Sequence, residues 1–356
     1  MTVRRLTADT PDPWARGKIV GAAGADGIAL NVRFYRRLFE AVGVRPDDLP
    51  GLGDAAVEAV DRWSPDLGSE LRGLAEGSGR PPWELGMLNA RTEILATVGA
   101  TGEGECSTSV VLPPRGAPIT LQTWDWHDES NPDTQVVRHV TEDGTRVRYF
   151  SEFGMLGKIG LNGAGLGVHF NILHHAADGD GVGVPVHAVA REVLDRARDL
   201  DEAVAIACSA RVSASTVLTL VSHRDGAGDA ACVELSAGGS AVIRPRNGSL
   251  THTNHFLDLE LARGEMAPPT SDSYPRLDLL DGNRERLAAP GVPERALGIT
   301  AHAEDGAPLC CHADPALPFH RRWQTLLTAA LDLEAGVLWF HEGTPCTATA
   351  SSWQVF

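Results

Sequence analysis

Lysine is nearly absent from this 356-residue chain: Lys18 and Lys158 are the only two, and arginine supplies the rest of the 31 basic residues. No Lys/Arg run occurs, and 47 acidic residues leave a formal charge of -16. That balance argues against a phosphate-tracking nucleic-acid surface and points to small-molecule partners. The scarcity of lysine itself reads as a coding bias. No apolar run is long enough to cross a bilayer, and the opening MTVRRLTADTPDPW lacks the apolar stretch of a secretion signal. The six cysteines, at 106, 208, 232, 310, 311 and 346, form no CxxC pair, which suits a reducing compartment. The expectation is a cytoplasmic protein with no membrane contact. With 43% hydrophobic and 22% charged residues, the chain has the composition of a globular protein with a substantial core.

Residues 26–99 carry a helical pattern: Leu30, Phe34, Leu38 and Val42 recur every four positions, and Leu67, Leu71 and Leu74 continue it. Pro81-Pro82 is placed to start a helix over WELGMLNARTEILATVG, because proline is tolerated in a first turn. After Cys106 the texture changes to short β-branched or alternating runs, among them STSVVL, PITLQTW, TQVVRHV, RVRYFSEF, LGVHFNIL, STVLTLVSH and ACVELS. EDGT, between VVRHVT and RVRYF, predicts a hairpin turn of the Asp-Gly kind. Helices are predicted over 184–210 and near 275–288, and RWQTLLTAALDLEAGVLWFHEG reads as two strands joined at DLEAG. Hairpins without regular βαβ alternation imply an α+β protein layered on antiparallel sheets. A helical part, 1–105, precedes a sheet-rich part, 106–356, within one intertwined globular domain.

Cys106 stands at that junction, after a Gly/Glu loop and before a strand. If the peptide bond between Glu105 and Cys106 is cut, the cysteine gains a free amine with a reference pKa of about 8 beside its own thiol of about 8.5. One residue then supplies both base and nucleophile. The uncut chain can make the cut itself: the thiol attacks the Glu105 carbonyl, an N-to-S shift gives a thioester, and water releases the two pieces.

Cys106-Ser107-Thr108-Ser109 followed by Gln122-Thr123-Trp124-Asp125-Trp126 resembles the N-terminal-nucleophile family of acyl-coenzyme A:6-aminopenicillanic acid acyltransferase (isopenicillin N acyltransferase), which includes the carcinine-hydrolase-like enzymes. Arg16-Gly17, ELRGLAEGSGR and LNARTEIL upstream, and SEFGMLGKIGLNGAGLGVHFNIL, THTNHF and HEGTPC downstream, extend the resemblance in order over nearly the whole chain. It implies a four-layer αββα sandwich with mainly antiparallel sheets, and self-cleavage into an α fragment, 1–105, bound to a β fragment, 106–356. It also implies Cys106 as nucleophile, Asp125 as the group that positions the new terminus, and Asn254 as an oxyanion donor. A neutral amide N–H aimed at developing negative charge is worth ~3 kcal/mol. Two positions depart from the family: Glu105 stands where penicillin-making members have Gly, and Cys310-Cys311-His312 replaces a Cys-Arg-His string, so the resemblance implies no basic substrate-contacting residue there.

The expected activity is transfer of an acyl group from an amide or acyl thioester, through a thioester on Cys106, to an amine or water. No cofactor is expected, acyl-coenzyme A entering only as a substrate. Two other readings stay open: a cysteine hydrolase in which a histidine such as His255 assists an uncut Cys106, and a ligand-binding relative without turnover. Asp125 and Asn254 also fit plain strand-end hydrogen bonding. The glycines of residues 160–167 do not follow GxGxxG and precede a strand, so they read as points of close backbone approach. His169, His174 and His175 have no carboxylate at ligand spacing, and no metal site is expected.

Overall fold

The computed structural model describes residues 2–100, 106–130 and 133–356. The chain opens with β1 (Thr2–Ala8), followed by helices α1 (Pro13–Ala23), α2 (Ala25–Ala41), α3 (Leu49–Trp63), α4 (Pro65–Ser78), α5 (Pro82–Asn89) and α6 (Arg91–Ala96). Then come β2 (Ser107–Val111), β3 (Ile119–His127), β4 (Asp133–Val140), β5 (Arg146–Ser151), β6 (Ile159–Asn162) and β7 (Leu166–Ile172). Helices α7 (Val186–Arg196) and α8 (Leu200–Ser209) lead into β8 (Thr216–Arg224), β9 (Ala227–Ser236), β10 (Gly239–Ile243) and β11 (Ser249–His252). The chain ends with α9 (Ser273–Gly282), α10 (Arg284–Leu287), α11 (Val292–Leu297), β12 (Trp323–Asp332), β13 (Val337–Glu342) and β14 (Gln354–Val355).

Local chemistry accounts for most boundaries. Ser64 caps α4 by accepting from Leu67 N, Pro65 opens it, and Gly79 closes it at a φ of 66°. The helix expected after Pro82 is split, because buried Asn89 donates to the carbonyls of Leu85 and Gly154 and accepts from Leu156 N, bending the chain at Ala90. The helix expected over 184–210 is likewise two: Asp199 caps α8 by accepting from Glu202 N, and Asn162 takes up the Leu194 and Ala197 carbonyls that α7 leaves free. The β4–β5 hairpin forms as predicted, with Gly144 of EDGT at a φ of 84°. β1 was not anticipated. It pairs parallel to β4, Thr2 opposite Asp133 through Ala8 opposite His139, a long-range match that no local pattern announces.

The strands make an eight-stranded sheet, β1-β4-β5-β6-β7-β8-β9-β10, and a six-stranded sheet, β11-β2-β3-β12-β13-β14. All neighbours are antiparallel except β1 and β4. The sheets face each other through β2 against β7 and β13 against β5 and β6. α7 and α8 cover the outer face of the larger sheet, and α9, α10 and α11 that of the smaller. This is an αββα sandwich within the α+β class. Phe150, Phe170, Leu220 and Phe340 belong to the main core, while Val111, Leu121, Leu287, Ala296 and Ile299 form a second core beneath α9–α11. Among the described residues no helix is long and apolar enough to cross a membrane.

The upstream helices are joined to the sandwich by close backbone contact and by buried charge. α1 and α4 cross so tightly that a Cβ on Gly17 would stand 2.1 Å from the Glu70 carbonyl oxygen, and one on Gly73 2.1 Å from that of Trp14. Glu70 of α4 binds Arg16 at 2.6 Å and Arg191 of α7 at 2.8 Å, and Arg191 binds Asp195 at 2.9 Å. Glu152, after β5, binds Arg91 at 3.0 Å and Lys158 at 2.6 Å and accepts from the Tyr35 hydroxyl at 2.6 Å. Each cluster joins residues upstream of Cys106 to residues downstream.

Candidate active site

Cys106 immediately precedes β2, and the sheet decides what surrounds it. β2 lies between β3 and β11, with Ser107 opposite Thr123 and Thr108 opposite His252. Its first residues therefore meet the Asp125 end of β3 and the Thr253-Asn254 stretch that leaves β11. Cys106 is 3% exposed. Its sulfur donates to the Asp125 carbonyl at 3.9 Å, the only hydrogen bond of that thiol among the described residues.

The Cys106 carbonyl accepts from Asn171 Nδ2 at 2.9 Å and from Arg276 Nη1 at 3.1 Å. Asn171, on β7, is held by the Thr108 hydroxyl and Gln122 Nε2, which donate to its Oδ1 at 2.6 and 3.3 Å. Arg276, on α9, also donates to Ser107 Oγ at 2.9 Å and to Asn254 Oδ1 at 3.1 Å. With Oδ1 engaged and Nδ2 donating to the Ile172 carbonyl at 2.9 Å, the Asn254 amide has a fixed orientation and one N–H left for another acceptor.

Asp125 is fully buried, and among the described residues neither carboxylate oxygen has a hydrogen bond of normal geometry. Burial pushes its carboxyl up to about 7; the Thr325 hydroxyl, opposite it in register on β12, and the Arg276 charge moderate the rise. The Cys106 thiol is pushed up to about 12 by burial and by the Asp125 charge, against the pull of Lys158 and Arg276. Lys158 lies 3.9 Å above the Trp124 ring, and burial together with the Arg91 charge brings its ammonium down to about 7 against the opposing pull of Glu152. Burial thus favours the neutral thiol, and among the described residues Asp125 is a buried acid with no hydrogen bond of normal geometry.

The structure thus brings Cys106, Asp125 and Asn254 to one place. Glu105, the other side of the expected cleavage bond, lies outside the described residues. His255 is turned elsewhere: its Nδ1 bonds Ser273 Oγ at 2.8 Å and Thr253 Oγ1 at 3.3 Å, and burial lowers it to about 4. His169 is buried against Gln122 Oε1 at 2.9 Å, and His175 accepts from Ala177 N at 3.0 Å. Sequence reasoning missed Arg276, Asn171 and Lys158. Arg276 sits in a stretch with helical pattern, where an arginine reads as a solvated residue and nothing local marks it as buried. Asn171 and Lys158 lie inside the glycine-rich segment that resembled the family, without distinguishing themselves from their neighbours.

An apolar cavity of about 30 Å³ adjoins this centre, lined by Leu95, Ala100, Trp126, Ile172, Leu173 and Trp323 among others. A larger polar cavity, about 640 Å³, lies between Arg16, Asp66, Asp143 and Arg198, among residues that take no part in the Cys106 centre. The glycine-rich segment is explained by close approach: a Cβ on Gly160 would stand 2.4 Å from the Arg148 carbonyl oxygen.

Comparison with known proteins adds a family. The profile described as acyl-coenzyme A:6-aminopenicillanic acid acyl-transferase matches residues 111–346, beginning downstream of Cys106. The 40 kDa form of acyl-coenzyme A:6-aminopenicillanic-acid-acyltransferase from Emericella nidulans is 27% identical over 236 residues, 64% of this chain and 64% of that protein's length. Among solved structures, penicillin V acylase from Agrobacterium tumefaciens is similar with a TM-score of 0.42 at 15% identity, covering 67% of this chain and 83% of that one. A conjugated bile acid hydrolase variant from Clostridium perfringens is similar with a TM-score of 0.42 at 12% identity, covering 70% and 92%.

Proposed function

The chain belongs to the acyl-coenzyme A:6-aminopenicillanic acid acyl-transferase family, and from that premise we propose that it is an autoproteolytic acyltransferase or amide hydrolase whose nucleophile is Cys106. The observation that carries this reading is the buried Asp125 carboxyl, which among the described residues has no hydrogen bond of normal geometry and whose charge acts on the buried Cys106 thiol. A buried carboxylate needs a cation. The amine freed by cutting the Glu105–Cys106 bond becomes one on protonation, on the residue whose thiol already feels the Asp125 charge.

The cut begins with the Cys106 thiol adding to the Glu105 carbonyl; the Cys106 nitrogen leaves as an amine, and water hydrolyses the resulting thioester to a Glu105 carboxylate and the free thiol. The α fragment, 1–105, stays bound to the β fragment, 106–356, through the Arg16–Glu70–Arg191 and Tyr35–Arg91–Glu152 clusters. In turnover the Asp125 carboxylate accepts the ammonium proton, the freed amine of Cys106 takes the proton of its own thiol, the sulfur attacks the acyl carbonyl, and the remaining N–H of Asn254 receives the oxyanion. Collapse passes that proton from the Cys106 ammonium to the donor's amine or thiol, which leaves, and an acyl thioester remains on Cys106 for water or an acceptor amine to resolve. Arg276 holds the Asn254 amide and the Cys106 carbonyl in place. The substrate class is a small amide or acyl thioester, acyl-coenzyme A among them, and a reducing cytoplasm would keep the nucleophile free.

Intact-mass measurement of the wild type beside Cys106→Ala tests the reading. The expected result is two fragments for the wild type, the second starting Cys-Ser-Thr-Ser, and one full-length chain for the variant; a single chain in both overturns it.

A further inference from the structure

Three side chains from separate segments meet on the far flank of the six-stranded sheet. His302 follows α11, His312 ends the Cys310-Cys311-His312 string, and Cys346 sits in the turn after β13. One ligand atom of each lies within 4.8 Å of the other two, the only such histidine, cysteine and carboxylate group among the described residues. His312 Nε2 is 3.4 Å from Cys346 Sγ, and the rings of His302 and His312 stack at 5.3 Å between centroids, tilted by 16°. Cys106 and its neighbours contribute nothing to this cluster.

We infer that His302, His312 and Cys346 form a zinc-binding site that clips the α11–β12 connection to the turn after β13. Two imidazoles and a thiolate are ligands for zinc, whereas magnesium and calcium require a set of oxygens that is missing here. The backbone already holds the ligands near one another. Cys310 N donates to the Ala301 carbonyl at 2.8 Å, and Cys311 exchanges hydrogen bonds with Thr325, accepting from its N at 3.0 Å and donating to its Oγ1 at 3.1 Å. Asp305 Oδ2 stands 3.7 Å from His302 Nδ1, on the side a carboxylate takes when the other ring nitrogen binds the ion. Binding would release the Cys346 proton and convert the thiol to a thiolate.

The test uses the full chain, stripped with a chelator, kept reduced, and titrated with zinc against a chromophoric indicator and separately with cobalt(II). The expected result is one equivalent of zinc, a sulfur-to-cobalt charge-transfer band, and a higher Tm with zinc. Cys346→Ser should abolish the charge-transfer band, and His312→Ala should weaken zinc more than about tenfold. Cys208→Ser, at an exposed cysteine elsewhere, should change neither. Circular dichroism of each metal-free variant confirms that it is folded. Absence of stoichiometric zinc in the wild type overturns the inference, as does unchanged binding in folded Cys346→Ser and His312→Ala. Neither outcome bears on cleavage before Cys106.

Discussion

Cys106 and Asp125 meet at the end of the β2–β3 ladder, the thiol donating to the Asp125 carbonyl at 3.9 Å while the carboxyl of the same residue has, among the described residues, no hydrogen bond of normal geometry. The backbone of Asp125 is therefore engaged and its side chain is not. In the uncut Cys106→Ala chain this produces a measurable pH dependence. A carboxyl at about 7 when folded and about 3.9 when unfolded holds its proton more tightly in the folded state. Its contribution to stability is complete below pH ~4 and is lost as pH rises through 7. Asp125→Asn in the same background should flatten that slope and raise stability at pH 8 by about 1–4 kcal/mol; parallel urea titrations at pH 4 to 8 are the check.

Asn254 is oriented by Arg276 on one side and by the Ile172 carbonyl on the other. Removing its amide in Asn254→Ala should lower kcat about 10²–10³-fold with little change in KM, the pattern of a donor that acts in the transition state. Equal losses in binding and turnover would instead show that it only shapes the pocket.

Arg276→Lys keeps the charge but not the fork that reaches the Cys106 carbonyl, Ser107 Oγ and Asn254 Oδ1 together. Kcat should fall, while the protein remains folded by circular dichroism. A fully active Arg276→Lys enzyme would remove Arg276 from the positioning of this site.

Glu152 is the shared acceptor of Arg91, Lys158 and Tyr35, and the charges of Arg91 and Lys158 hold its carboxyl below the usual range despite burial. Glu152→Gln leaves two buried cations short of a counter-charge and should cost about 3–5 kcal/mol in chemical unfolding. A loss confined to a few tenths would show that solvent reaches the cluster.

The α1–α4 crossing offers a test by bulk alone. Gly17→Val forces a side chain against the Glu70 carbonyl, 2.1 Å from where its Cβ must stand. The helices must separate, at about 1–3 kcal/mol or more, read as a lower Tm.

Much of the architecture was legible. Alternation and turn residues located β4–β5 and β12–β13, the four-residue apolar spacing located α2, and the change of texture put Cys106 between helices and strands. The breaks at Ala90 and at residues 197–199 were not legible, since Asn89 and Asn162 act through bonds to segments far away in the chain. Of the site, Cys106, Asp125 and Asn254 stood out through motifs, whereas Arg276 did not, because an arginine's burial depends on what packs over it.

By itself the sequence determined which residues had apolar partners along their own helix or strand, and therefore the α+β class, the hairpins and the place of Cys106 between the helical and sheet-rich parts. Only the tertiary structure decided which polar groups lose water: the parallel pairing of β1 with β4, the isolation of the Asp125 carboxyl, the reach of Arg276 to Cys106, and the meeting of His302, His312 and Cys346. Periodicity records a residue's near neighbours, while desolvation and charge pairing depend on segments brought together across the whole chain.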